Sequence, residues 1–318
     1  MRRRDVLLFA GSAALSSPFR ALAQAKTATL GVLNFSNPEP LYGLLREALR
    51  ERGYVEGQGI KFEFRSAQGN ATALKDLAAE LVRIKPDAAV TFPTPATVAL
   101  KQLTSELPII MLANGDPVGT GLVASLARPG GNITGTSSTT SEMGAKTLEI
   151  VRDLIPQVRR VVVLANARDA FMTSFLRFME LGGQTLHIEI QPIRIDNPDE
   201  LDAAFALAKK NAANAVIIQP SLPRQRVAEL GLTNRMPTLA PSSGFTALGG
   251  LAAYSPSQPE MARRTAAIIE KVLNGGNPAQ IPVEQPTQFE LVINLKTAKA
   301  IGLAVPAMLL NRAQEVIE

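Results

Sequence analysis

Past Lys26 the chain alternates short apolar runs with longer stretches in which apolar residues recur every three or four positions. Thr27–Asn34 (TATLGVLN) reads as a buried strand, and Leu41–Arg52 (LYGLLREALRER) as an amphipathic helix stopped at Gly53. Ile60–Arg65 alternates like a strand, Thr72–Ile84 is helical, and Ala88–Phe92 is a strand again. A helix begins near Pro95, where proline in the first turn costs no hydrogen bond. Pro108–Ala113 is another buried strand, and Asn132–Gly135 begins a fifth.

The rhythm then restarts. Thr139-x-x-Glu142 is a capping-box pattern opening a helix to Ile155, and Arg160–Ala165 (RVVVLA) is the most apolar strand candidate in the chain. Helix Ala170–Leu181, strand Thr185–Arg194, helix Pro198–Asn211 capped by Asn197, and strand Ala215–Gln219 follow. A short helix near Arg224–Leu232, strands at Thr238–Ala240 and Leu251–Tyr254, and a long helix Pro259–Leu273 complete the pattern. Strands that are apolar on both faces, alternating with helices, predict an α/β fold of parallel sheets covered by helices. So many units fit two sheets better than one. The expected architecture is two doubly wound parallel-sheet lobes joined by three crossings. These crossings fall near Gly135–Thr140, Gly249–Ser257 and the proline-broken Ile281–Phe289.

The first 25 residues read differently. Arg2-Arg3-Arg4 precede an apolar stretch from Val6 to Leu15, and Ala21-Leu22-Ala23-Gln24-Ala25 offers a cleavage pattern of small residues. The apolar stretch is too short for about 30 Å of hydrocarbon, so it predicts a signal peptide cleaved near Ala25 and a periplasmic product. Arg3-Arg4-Asp5-Val6-Leu7 also resembles a twin-arginine export motif. This segment holds four arginines and one aspartate, so its removal lowers the net charge from +5 to +2. The basic character is mostly leader, and no nucleic-acid surface is expected. The chain has no Cys, which excludes disulfides and a lipid-anchoring cysteine. A mature chain of about 290 residues buries enough surface to fold without such staples.

In open parallel sheets, ligands bind beyond the carboxyl ends of the strands. Those places hold Asn34-Phe35-Ser36-Asn37, Pro93-Thr94-Pro95-Ala96-Thr97 and Asn114-Gly115-Asp116-Pro117 in the first half. The second half offers Asn166-Ala167-Arg168-Asp169, Ser221-Leu222-Pro223 and Ser242-Ser243-Gly244-Phe245. Hydroxyl and amide groups suit a small polar ligand between lobes, although the same residue types also serve ordinary turns. Phe35 either caps the edge of the core or faces the cleft, where an aromatic wall suits a planar ligand. Catalytic patterns are scarce. The single histidine, His187, lies in a strand-like stretch (LHIEI), and with no Cys there is no histidine–cysteine metal set. Gly144-Ala145-Lys146-Thr147 lacks the earlier glycine of a phosphate loop and sits inside a predicted helix. Glu47 and Glu51 read as helix-face charge pairs. Neither a cofactor nor a metal is expected, and Asp116 and Asp169 are the cleft carboxylates an exported enzyme would have to use.

Two long blocks carry a family resemblance. Asp116–Gly135 (DPVGTGLVASLARPGGNITG) and Pro282–Ala300 (PVEQPTQFELVINLKTAKA) resemble motifs of a family of ABC-transporter substrate-binding proteins with the type I periplasmic-binding-protein fold. That family includes binders of tryptophan and other aromatic amino acids. Gln219–Pro223 and Thr94–Thr97 extend the likeness over essentially the whole mature chain. The resemblance implies a first lobe of 26–138 plus 254–283 and a second of 139–253 plus 284–318. It implies that a ligand lies near Phe35, Ser36, Thr94, Ala96, Asp116, Asn166 and Ser221, and the turn reading adds Ser243. Ser243-Gly244 replaces a charged pair found in many relatives, and Tyr254-Ser255 replaces Tyr-Gly, which puts an amino-acid ligand in doubt. The expected function is periplasmic, non-enzymatic binding of a small polar or aromatic carboxylate by a monomer that docks on a membrane permease. A ligand sensor for a signalling system, or an enzyme using cleft carboxylates, is the alternative. A transcription-factor effector domain shares the fold but would need a DNA-binding module where this chain has a signal.

Overall fold

The computed structural model describes residues 27–37, 39–138, 141–242 and 244–318. The signal segment, Thr139 of the capping box and Ser243 lie outside the described residues. The first half runs β1 (Ala28–Asn34), α1 (Leu41–Glu51), β2 (Ile60–Ser66), α2 (Ala71–Ile84), β3 (Ala88–Phe92), α3 (Thr94–Lys101), β4 (Ile109–Asn114) and β5 (Ile133–Ser137). Its five strands form a parallel sheet in the order β2-β1-β3-β4-β5. The second half begins α4 (Ser141–Leu154), β6 (Arg160–Asn166), α5 (Met172–Leu186), β7 (Glu189–Ile195), α6 (Leu201–Lys210), β8 (Ala215–Ile218), α7 (Arg224–Thr233) and β9 (Thr238–Ala240). It continues through α8 (Gly244–Ala247), β10 (Ala252–Pro256), α9 (Gln258–Leu273), β11 (Phe289–Asn294), α10 (Leu295–Ile301), α11 (Ala307–Arg312) and β12 (Glu315–Ile317). Seven strands form the second sheet in the order β12-β11-β10-β9-β8-β6-β7, parallel except for β10 against β11.

Successive side chains on these strands feed opposite cores. In the first sheet Ala89, Ile109 and Met111 pack under α2 and α3. Ala88, Val90, Ile110 and Leu112 pack on the other face under α1 and α9. In the second sheet Val161, Val163 and Ile217 face α4 and α5, while Val162, Leu164 and Ile218 face α6 and α7. Both faces are buried, so the strands read as continuous apolar runs. Asn70 fixes the start of α2 by accepting from the N–H groups of Thr72 and Ala73.

The chain passes between sheets three times: after β5, at Ser257, and over the residues between Glu284 and β11. The last two passages lie side by side, with the Ser257 N–H donating to the Gln288 carbonyl at 2.9 Å. Glu284 runs beside β5, exchanging backbone hydrogen bonds with Gly135 and Ser137. Arg264 on α9 holds this junction, 2.8 Å from Glu260 and 2.9 Å from Glu284. Glu260 in turn accepts from the Thr287 hydroxyl at 2.5 Å and the Gln288 N–H at 3.0 Å.

Two expectations need correction. Tyr254–Pro256 pair with Phe289–Leu291 in the second sheet, so that strand stays with the second lobe and the passage falls at Ser257. His187 is not in a strand: α5 continues to Leu186, and His187 ends it with a left-handed turn at φ 55°. Gly183 permits this route, since a Cβ there would come within 2.5 Å of Ile190. No helix among the described residues is long and apolar enough to cross a membrane.

Candidate functional site

The carboxyl ends of both sheets face each other across a cleft. A wide cavity of about 1050 Å³ opens between Phe35, Ser36 and Phe64 of the first lobe and Asn166, Ser221 and Arg224 of the second. Deeper between the lobes lies a cavity of about 50 Å³, walled by Thr94 and Gly115 from one side and Asp169, Phe171, Ser221, Arg224, Ser242 and Ser255 from the other. Ser221 and Arg224 line both spaces. The deep one is too small for a metabolite, whereas the wide one has ample room.

Each wall is fixed by the strand beneath it. The Phe35 N–H continues β1 by donating to the Phe92 carbonyl at 2.9 Å. Its ring belongs to the core under α2 and α3 and also lines the wide cavity, so both sequence readings of Phe35 apply. Phe64 projects from β2, 38% exposed, with its ring 5.1 Å from that of Tyr42. In the second lobe one buried network joins the ends of two strands, β6 and β8. The Asn166 N–H donates to Gln219 Oε1 at 2.9 Å, and its side-chain amide donates to Ser221 Oγ at 3.3 Å. Asp169 collects three donors: Ser221 Oγ at 2.6 Å, Gln219 Nε2 at 2.7 Å and the Phe171 N–H at 2.9 Å. Burial raises the pKa of Asp169, an effect only partly offset by those three hydrogen bonds.

The remaining expected residues scatter. Thr94 is buried at the deep cavity and accepts from the Gly115 N–H at 3.3 Å. Ala96 is wholly buried in the core under α3 and is part of neither cavity wall. Asp116 lines neither cavity; it accepts from the Gly119 N–H at 2.9 Å and, across the lobe boundary, from Ser174 Oγ at 2.5 Å. Ser243 is outside the described residues, while its neighbour Ser242 accepts from Arg224 Nη1 at 2.8 Å. Arg224 itself was missed: the sequence placed it only at the start of a short helix, with no signal that it is buried. Its Nη2 donates to the Asn37 carbonyl of the first lobe at 2.8 Å. Phe171 was missed too. Its ring lies so close to Gly115 that a Cβ there would approach it to 2.5 Å. The lobes therefore touch at Arg224–Asn37, Ser174–Asp116 and Phe171–Gly115.

Known proteins share this two-lobed arrangement around a cleft. The family described as ABC transporter substrate binding protein matches residues 39–317. The chain belongs to this family. Among relatives of this binding protein, a tyrosine-binding protein of Clostridioides difficile (strain R20291) is 30% identical over 262 residues, 81% of this chain and 75% of that one. An ABC domain in complex with L-Trp from Streptococcus pneumonia superposes with a TM-score of 0.83 at 26% identity, covering 92% of this chain and all of that one. A conserved domain protein from Vibrio cholerae superposes at 0.84 with 24% identity over 92% of this chain and 100% of its own, which bears on the fold. The substrate-binding protein has the type I periplasmic-binding-protein fold, as the two sequence blocks implied.

Proposed function

We propose that the chain is the periplasmic receptor of an ABC uptake transporter. In this reading it captures a small solute with an aromatic or apolar body in the wide cleft and presents it to a membrane permease as a monomer. Phe35 and Phe64 form the apolar wall, and Ser36, Asn166 and Ser221 supply hydrogen bonds. One observation carries this reading: a single cavity of about 1050 Å³ is lined by strand ends of both lobes. Such a wall changes when the lobes move, so ligand binding and closure are linked. The tyrosine and L-Trp named for two relatives favour a solute with a ring. Affinity near micromolar, about −8 kcal/mol, would suit capture followed by release.

Native mass spectrometry of protein purified from the exported fraction tests the proposal. A bound small molecule, released unchanged on denaturation and raising the melting temperature when added back, is the expected result. Protein that never carries a solute, or that consumes it, overturns it.

A further inference from the structure

Arg224 is 8% exposed and forms no ion pair with any carboxylate among the described residues. Among the described residues its hydrogen-bond partners are the Ser242 hydroxyl and the Asn37 carbonyl, so two of its five N–H donors are used there. A guanidinium stays charged at physiological pH, and burying that charge without a counter-ion is costly. The surroundings sharpen the imbalance. Arg224 is the first residue of α7, whose N-terminus has no side-chain cap and no acidic residue in its first turn. The positive end of that helix adds to the guanidinium. Across the same small cavity, Ser255 Oγ is buried without a hydrogen-bond partner among the described residues.

Neither acidic residue on the two cavity walls pairs with Arg224. Asp169 shares the small cavity, yet both its oxygens accept from the protein, and burial favours its neutral form. Asp196 is on the wall of the wide cavity but is exposed to solvent. The deep end of the cleft therefore carries one uncompensated positive charge.

We propose that the cleft selects a monoanionic carboxylate with an aromatic or apolar body, anchored by its carboxylate on Arg224, and that an α-ammonium group weakens rather than strengthens binding. The proposal rests on the cleft-capture reading and names its substrate class. Guanidinium and carboxylate match as two parallel hydrogen bonds, and the ring then extends along Phe35 and Phe64. An ammonium on the adjacent carbon would sit beside the guanidinium, where the carboxylate of the small cavity, Asp169, already accepts three hydrogen bonds. Ser255 Oγ is placed to serve the anion as a further donor.

Calorimetric titration of the full exported protein with matched pairs tests this. The probes are 3-phenylpropanoate against L-phenylalanine, 4-hydroxyphenylpropanoate against L-tyrosine, and indole-3-propanoate against L-tryptophan. At least one acid is expected to bind about tenfold or more tighter than its amino acid. Arg224→Gln is expected to weaken that acid by roughly 10- to 100-fold, and Arg224→Lys, which keeps the charge without the fork, by less. An amino acid that equals or beats its acid overturns the proposal, as does unchanged binding by Arg224→Gln, or no binding of any acid. The comparison within wild-type protein stands even where a variant folds poorly. If native mass spectrometry finds a neutral or cationic solute in the wild-type cleft, the anion site fails while capture survives. Protein without any solute, and unresponsive to all six probes, overturns both.

Discussion

At the junction between the lobes, Arg264 is met by two carboxylates, Glu260 and Glu284, whereas in the cleft Arg224 is met by a hydroxyl and a peptide carbonyl. Both stand where the lobes come together. Arg264 is closed upon itself: its charge is met, and its partners tie α9 to the crossing segment that carries Thr287 and Gln288. Arg224 is the more buried of the two and is left open. A buried charge with its counter-charge built in belongs to the scaffold; one without it is set aside for something that arrives later.

That contrast can be broken by measurement. The largest effect on stability is expected from Glu260→Ala. Glu260 is 7% exposed and serves Thr287, Gln288 and Arg264, so its loss should cost about 3 kcal/mol in urea unfolding. Arg224→Gln in ligand-free protein should change stability by less than about 1 kcal/mol, because it removes a buried charge with no carboxylate partner along with two hydrogen bonds. Equal losses from the two variants would make Arg224 a structural residue.

Gly115→Ala should come next. The new methyl would meet Phe171 from the opposite lobe, so the lobes must separate or Phe171 must move, at about 2 kcal/mol. A larger radius of gyration by X-ray scattering with weaker ligand binding is expected; unchanged scattering would show that Phe171 simply yields. Ser174→Ala removes the hydroxyl that Asp116 accepts across the boundary and should speed ligand release by a few-fold, about 1 kcal/mol, in stopped-flow traces.

The smallest difference is expected from Asp169→Asn at pH 4. Burial raises the folded-state pKa of Asp169. Its contribution to stability is therefore present below the ordinary carboxyl pKa and lost as pH rises through the raised value. Asn cannot titrate, so the variant should gain on wild type between pH 4 and pH 8 in urea midpoints. A constant gap would show that Asp169 is ionised throughout.

The fold was legible because two-sided burial writes itself as apolar runs: β4 and β6 could be read directly from IIMLAN and RVVVLAN. Short or one-sided elements were not. β12 has three residues, none of them buried, and carries no apolar run, while α8 is a single turn. His187 was misplaced because the alternation of His-Ile-Glu-Ile outweighed a helix that runs on through Gly182 and Gly183. In the cleft, residues directly after strands were findable: Phe35, Ser36, Asn166 and Ser221 all line the wide cavity. Counting along the turn then failed at Ala96, two residues into α3, where the helix turns the side chain back into the core. Arg224 failed in the opposite sense. A long cation at a helix start is normally solvated, and only the packing of α7 against the lobe boundary takes it out of water.

The α9 helix carries a consequence for how the chain is made. Met261, Ala262, Ala266, Ile268 and Ile269 complete the core that α1 and the first sheet begin. Ribosomal synthesis delivers that sheet early and its covering helix only after the whole central part of the second lobe. For that interval the α1 side of the first sheet lacks half of its apolar cover. The lobe that starts first therefore waits for a helix that the chain supplies only after most of the second lobe.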